Sequence, residues 1–281
     1  MTCCDLHTHS CFSDGTCTPA QLLQMAEKIG MKAIALCDHN TVAGLPDFVA
    51  AARQGSVEAI PGVEFSTEHK GGELHILGLF IQPQHYETVT GLLEELLRDK
   101  ERSNLDLVEK LNAAGYALDY EKIKATVAGG YVNRAVIAAE MTRLGYVPSI
   151  KMAFKTFLSE GKGYYVPPKR LDAYDAIRFI KSIGAVAVLA HPFLNLDEKG
   201  LREFLPKAVE AGLDGMETMY PKFTDAETQL AKIIAKEYGL LESGGSDFHG
   251  ENKPDIEMGV GRGTLKVSNS RLEALRDRAG K

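Results

Sequence analysis

Seven short apolar runs, most of them separated by amphipathic segments of helical length, constrain the fold of this 281-residue chain more than any other feature. They fall at residues 2–7, 32–37, 57–65, 73–80, 185–190, 215–220 and 240–246. Runs such as Lys32-Ala33-Ile34-Ala35-Leu36-Cys37 are nearly continuous in apolar character, as expected of a strand buried on both faces. The intervening segments carry helix signals. Thr18-Pro19 supplies an N-cap with proline at the first helical position, Leu22, Leu23, Met25, Ala26 and Ile29 follow at helical spacing, and Gly30 closes the segment. Residues 41–52, 85–114, 172–183, 198–211 and 224–238 read as further helices. Strands that alternate with helices imply βαβ units and a parallel sheet, in a barrel or a doubly wound arrangement.

One stretch breaks the rhythm. Residues 98–170 are helical in pattern without clear strands, and they contain 13 Lys and Arg against 8 Asp and Glu. The whole chain carries 32 basic and 38 acidic residues, net −6, so a basic insertion is set into an acidic body. The expected organisation is a catalytic barrel from residues 1–97 and 171–281, with residues 98–170 as an inserted cap over its site. Such a cap suits a polyanionic substrate, although Lys and Arg on helices also serve simply as solvated faces. With 44% hydrophobic and 25% charged residues the composition is that of a globular domain, which excludes disordered, collagenous and coiled-coil chains. The longest apolar runs are about a third of the ~20 residues a membrane-spanning helix needs. The N-terminus has neither a basic start nor a signal-length apolar stretch, and the five cysteines, all within the first 37 residues, lack disulfide-framework spacing. The expected setting is the reducing cytoplasm, with no membrane and no obligate protein partner.

Chemistry-bearing residues fall where the apolar runs end. Asp5-Leu6-His7-Thr8-His9 closes the first run and Asp14 follows in the next loop. Asp38-His39 closes the second, Glu64 lies at the end of the third, and His75 sits in the fourth. Ala190-His191-Pro192 and Ser246-Asp247-Phe248-His249 close two later ones, so six of the eight histidines share this placement. In a parallel α/β barrel the strand C-termini converge on one face, where active sites are built. An H-x-H pair on extended backbone puts both rings on one side. A lone strand-end histidine is ordinarily a hydrogen-bonded residue rather than a ligand, but nine such groups packed without a partner would be very costly to bury. Imidazoles with carboxylates suit Zn²⁺, Mn²⁺ or Fe²⁺, and the absence of clustered Cys argues against a structural thiolate site. Asp38, beside His39, has two readings: a group that orients an imidazole, or a loop hydrogen-bond acceptor. Arg98 and Arg102 lie four apart on one helix face, and Arg134 follows the Gly129-Gly130 turn at a helix start. Either solvated ion pairs or bidentate phosphate contacts fit these arginines.

The motifs Asp5-Leu6-His7-Thr8-His9, Asp38-His39, His191-Pro192 and Ser246-Asp247-Phe248-His249, in this order, resemble those of the PHP (polymerase and histidinol phosphatase) family. The resemblance implies a distorted seven-stranded α/β barrel of amidohydrolase-like type with a helical inserted cap. It also implies metal-dependent phosphoester hydrolysis at a centre of up to three divalent ions, Mn²⁺ first, with Zn²⁺ or Fe²⁺ as alternatives. By position, His7, His9, Glu64 and Asp247 resemble one site's ligands. Glu64, His75 and His191 resemble a second site sharing Glu64 as a bridge, and Asp14, His39 and His249 a third. Size and insertion are most similar to the branch that removes the 3′-phosphate of 3′,5′-bisphosphonucleosides, with relatives that trim short 5′-phosphorylated RNA. That branch favours Arg102 and Arg134 as substrate contacts. Cys37 departs from the Thr usual before Asp-His, outside the ligand set. The alternatives are histidinol-phosphate phosphatase and a non-catalytic metal- or nucleic-acid-binding module.

Overall fold

The computed structural model describes residues 4–127, 132–168 and 170–279. The first unit, residues 1–90 with 171–281, opens with β1 (Cys4–Thr8), α1 (Pro19–Lys28), β2 (Ala33–Leu36), α2 (Leu45–Ala52), β3 (Glu58–His69) and β4 (Gly72–Leu79). Thr18 caps α1 through a capping box: its side chain accepts from the Gln21 amide while the Gln21 side chain accepts from the Thr18 amide. Three parallel strands thus form in order, β1 on β2 and β2 on β3.

The expected parallel run then fails at β4, which lies antiparallel to β3 and, on its other side, to β6 (Val186–Leu189). Only Lys70 and Gly71 separate the two paired strands, and both adopt positive φ, 51° and 79°. Two residues make a tight hairpin but no crossover, so the chain must reverse. The hairpin also lengthens β3, which runs on to His69 rather than ending near Phe65.

Four further strands complete the sheet: β5 (Leu171–Asp172), β6 (Val186–Leu189), β7 (Gly215–Met219) and β8 (Leu241–Gly244). The order is β1-β2-β3-β4-β6-β7-β8, seven strands, with the two-residue β5 paired to β3 off this path. Backbone bonds join the ends: the His9 amide donates to the Phe248 carbonyl at 2.9 Å, and the Asp247 amide to that of His7 at 2.8 Å. The result is a mixed sheet nearly closed into a barrel. Residues two apart on successive strands line one buried face: Cys4 and Leu6, Ala33 and Ala35, Leu77 and Leu79, Val186 and Val188.

Residues 91–170 form the second unit, and the division falls inside the long helix α3 (Tyr86–Ala113), at Gly91 where the sequence reading drew it at Arg98. The unit continues through α4 (Tyr120–Ala125), α5 (Arg134–Arg143) and α6 (Ile150–Ala153), which runs into a π-helical turn at Phe154–Leu158. Leu107, Leu111, Ile137, Met141 and Leu158 form its buried centre. In the first unit α7 (Ala173–Ser182), α8 (Glu198–Ala211), α9 (Asp225–Glu237) and α10 (Asn269–Ala279) accompany the later strands. Among the described residues no helix is long and apolar enough to cross a membrane. Among the described residues, Cys11, Cys17 and Cys37 are free thiols.

Candidate metal centre

The barrel brings all nine candidate ligands together. β1 carries His7 and delivers His9 one residue beyond its end, with the two rings 5.0 Å apart. Asp14 lies in the loop after β1. His39 follows β2 and pairs its backbone with Glu64, whose amide donates to the Asp38 carbonyl at 3.2 Å. Glu64 is therefore level with the other strand ends although β3 itself continues past it. His75 is no strand-end residue either: it is the fourth residue of β4, opposite Ser66 in the extension of the hairpin. His191 follows β6 at φ 25° and ψ 57°, and Asp247 follows β8 at φ 54°. Two non-glycine residues in the left-handed region, both among the candidate ligands, are backbone strain held by the surrounding contacts.

Glu64 is the hub. Its Oε1 lies 2.7 Å from His75 Nδ1 and 3.0 Å from His191 Nε2. Its Oε2 lies 3.2 Å from His7 Nε2, 3.2 Å from His9 Nε2 and 3.1 Å from His39 Nδ1. Asp247 Oδ1 is 3.2 Å from His9 Nε2, and Asp14 Oδ1 is 3.1 Å from His249 Nε2. Three groups have donor atoms all within 4.8 Å of one another: His7, His9, Glu64 and Asp247; His9, Asp14, His39 and His249; and His39, Glu64 and His75. The first has the composition expected of one site. The second adds His9 to Asp14, His39 and His249. In the third, His39 takes the place expected for His191, which reaches Glu64 from outside the group.

These residues fit divalent ions. His7 Nε2, His9 Nδ1 and Nε2, His39 Nδ1, Glu64 Oε2, His191 Nδ1 and His249 Nε2 are buried and form no hydrogen bond. Several lie within ion-pair distance of an opposite group yet lack hydrogen-bond geometry, as ligand atoms aimed at a shared centre do. So many unsatisfied buried polar atoms demand a partner. Nitrogen and carboxylate donors match Mn²⁺, Zn²⁺ or Fe²⁺. In the metal-free protein the facing carboxylates hold protons on the His9 and His75 rings. Burial pulls His9 down, but the facing carboxylates of Asp247 and Glu64 outweigh it and raise it to about 9. Burial is likewise overcome at His75, raised to about 10 by Glu64 and Glu73. His39 goes the other way, to about 3, because burial dominates.

Both His9 and His75 are protonated in the metal-free chain near pH 8, below their raised values, and each must shed its proton to ligate. Adding Mn²⁺ to apo protein in weak buffer should therefore release at least two protons per chain, read with a pH electrode; His7, which burial pulls down but Glu64 and Glu217 raise well above its ordinary value, adds to them. Metal uptake without acid release would mean the rings start neutral.

The structure adds residues that the sequence did not single out. Glu217, fully buried on β7, contacts His7 Nδ1 at 3.2 Å and accepts from the His191 amide at 2.7 Å. Tyr220 and Lys253 both donate to Asp247 Oδ2 at 2.7 Å. Asp5 accepts from the Ser246 and Gly259 amides, tying β1 to the last loops. Asp38 takes the second of its two readings: it accepts from the Ser10 amide and from the Ser10 and Ser13 hydroxyls, which organises the loop after β1. In the second unit Arg98 and Arg102 are exposed and pair within their helix with Glu94 and Asp99. Arg134 is half-buried at the start of α5; the Gly129-Gly130 turn before it lies outside the described residues.

A mixed barrel in which one glutamate faces five imidazoles, with three candidate metal-ligand groups around it, fits a metal-dependent hydrolase of phosphate esters. Comparison with known proteins agrees. Residues 5–184 match the family model of the PHP domain. A 5′-3′ exoribonuclease of Haemophilus influenzae is 37% identical over 246 residues, spanning 87% of this chain and 89% of its own length. A 3′,5′-nucleoside bisphosphate phosphatase of Chromobacterium violaceum is 29% identical over 256 residues, 90% of either chain. The solved structure of a metal-dependent phosphoesterase from Bifidobacterium adolescentis covers 98% of this chain and 96% of its own, with TM-score 0.78 and 25% identity. The chain belongs to the PHP domain family.

Proposed function

We propose that this chain hydrolyses the 3′-phosphate of 3′,5′-bisphosphonucleosides, such as adenosine 3′,5′-bisphosphate, to a nucleoside 5′-monophosphate and phosphate. By the same chemistry it trims short 5′-phosphorylated RNA. The observation that carries the reading is Glu64, whose two oxygens face five imidazoles and which belongs to two of the three ligand groups. The three candidate ligand groups would hold divalent ions, Mn²⁺ first, which would supply charge neutralisation at the phosphate and activation of water. The chain's own residues hold that apparatus in place. Tyr220 and Lys253 fix Asp247 Oδ2, leaving Oδ1 toward His9. Arg102 and Arg134 are the proposed contacts for substrate phosphate.

The two activities share one recognition unit. A nucleotide with a 5′-phosphate and an esterified 3′-oxygen is either a bisphosphonucleoside or the first residue of a 5′-phosphorylated RNA. The relatives carry one name of each kind, and the exoribonuclease, at the higher identity, is what favours including RNA. Aromatic rings support a nucleotide over histidinol phosphate. Tyr220 lies 5.2 Å from the His191 ring, Phe223 5.3 Å from Tyr220 and Phe193 5.4 Å from Phe223, and both phenylalanines are half-exposed. A nucleobase stacks on such rings for ~1–3 kcal/mol. Phe223→Ala should therefore raise KM for a bisphosphonucleoside about tenfold or more and leave a base-free ribose phosphate unaffected. Equal losses on both would take the base off these rings.

The deciding experiment supplies Mn²⁺ and a panel of mono-, 3′,5′-bis- and cyclic nucleotides, histidinol phosphate and short 5′-phosphorylated RNA. The highest kcat/KM is expected on the bisphosphonucleoside, with nucleoside 5′-monophosphate released from RNA. Preference for histidinol phosphate, or metal binding with no turnover at all, would overturn the reading.

A further inference from the structure

We propose that Glu217 is a positioning residue that sets ligands from two strands at once and so couples ion binding across the centre. The carboxylate is fully buried and spends both oxygens on the metal site. Its Oε1 lies 3.2 Å from His7 Nδ1, and its Oε2 accepts the His191 amide at 2.7 Å. The first contact selects a tautomer. With the His7 proton on Nδ1, donated to Glu217, the buried Nε2 is left with a lone pair facing Glu64 and Asp247. The second contact pins the main chain of His191 at φ 25° and ψ 57°, a conformation that a β-carbon-bearing residue keeps only under restraint.

The contacts close a ring. His7 lies between Glu217 and Glu64 through its two nitrogens. His191 lies between the same two carboxylates, through its amide and its Nε2. A shift of either histidine is thereby passed to the other, and to Glu64, without any direct bond between them. β7 supplies none of the nine candidate ligands. Glu217 gives that strand its share in the centre.

Glu217→Gln preserves shape and removes one of the two acceptors. If the amide nitrogen faces His7, the ring must move its proton to Nε2 and that atom no longer ligates. If it faces His191, the strained main chain loses its bond. Either way, affinity for Mn²⁺ or Zn²⁺, measured by competition with a chromophoric chelator, is expected to fall roughly 10- to 100-fold. Melting of the chelator-treated form should stay within a few degrees of the parent, while the rise in Tm on adding metal shrinks. Long-range ¹H–¹⁵N spectra of the zinc-loaded proteins give an independent reading: the parent should show His7 protonated on Nδ1.

An unchanged affinity would overturn the proposal. So would a parent His7 protonated on Nε2, or a variant whose metal-free and loaded forms lose stability equally while binding ions as before. Should Glu217→Gln not fold, Glu217→Asp keeps the charge but retracts both oxygens by one methylene. It should show the same weakened binding, and parent-like affinity there would also sink the idea. No nucleotide enters these measurements, so the result stands whichever substrate the enzyme takes.

Discussion

Replacing Glu64 by alanine is expected to strip metal from the protein and lower turnover by about 10³-fold or more, while the barrel still folds. The size follows from the number of groups that one carboxylate serves. Its oxygens lie between 2.7 and 3.2 Å from nitrogens of His75, His191, His7, His9 and His39. Burial pushes the Glu64 carboxyl up, yet the facing imidazoles of His39, His7 and His75 overcome this and hold it well below the usual range. It is anionic at any working pH. Removing it takes away the donor shared by two of the three ligand groups. Clustered ions supply several kcal/mol to phosphoryl transfer, and each 1.4 kcal/mol is tenfold in rate, hence about 10³. Folding survives because orphaned imidazoles can simply lose their protons, whereas an orphaned carboxylate could not shed its burial cost so easily. Metal content by atomic spectroscopy, phosphate release and circular dichroism check the three parts separately. A variant that keeps both metal and turnover would falsify the bridge.

The ligands were legible because they obey a local rule. An apolar run ending in His, Asp or Glu, repeated along the chain, needs no partner information to be noticed. The capping box at Thr18 and Gln21 is similarly written in adjacent residues. The direction of β4 was also present, in Lys70-Gly71, but a two-residue linker outweighs the strand–helix rhythm only once its flanks are known to pair. Glu217 was not legible. It sits in Gly215-Met216-Glu217-Thr218-Met219, where a single acid on a strand is ordinary, and its partners lie 210 and 26 residues away. Tyr220 and Lys253 share that difficulty, since both act through Asp247. Asp38 shows the converse. Adjacency to His39 suggested help for the imidazole, whereas folding turned the carboxylate to the Ser10 and Ser13 loop. Most candidate ligands follow strand ends, His75 and Glu64 excepted, while the residues that hold those ligands follow tertiary packing.

Arg134→Ala is expected to leave metal stoichiometry intact and to lower kcat/KM roughly 30- to 1000-fold, the loss of one charge-assisted bidentate contact worth about 2 to 4 kcal/mol. The side chain is already ordered in its own unit. Nη1 donates to the Leu158 carbonyl at 3.0 Å, and the guanidinium carbon stands 4.0 Å from the centre of the Tyr165 ring and 5.7 Å from that of Phe154. Among the described residues the guanidinium donates one hydrogen bond from its five N–H groups, so a fork remains for phosphate oxygens. A pre-positioned guanidinium loses little entropy on binding. Arg134→Lys should recover only part of the loss, because an ammonium cannot reproduce the fork. If Arg134 holds the phosphate that is not cleaved, the fall is steeper for a bisphosphate than for a monophosphate, since remote binding energy then orients the reacting ester. Equal falls on both would move Arg134 to the reacting phosphate. The same contacts that order the side chain give it a packing role, which makes thermal stability the control. A variant that melts earlier but keeps kcat/KM on both substrates would confine Arg134 to bracing Tyr165 and Leu158. Phosphate recognition would then fall to another cation, with Arg102 the first to replace.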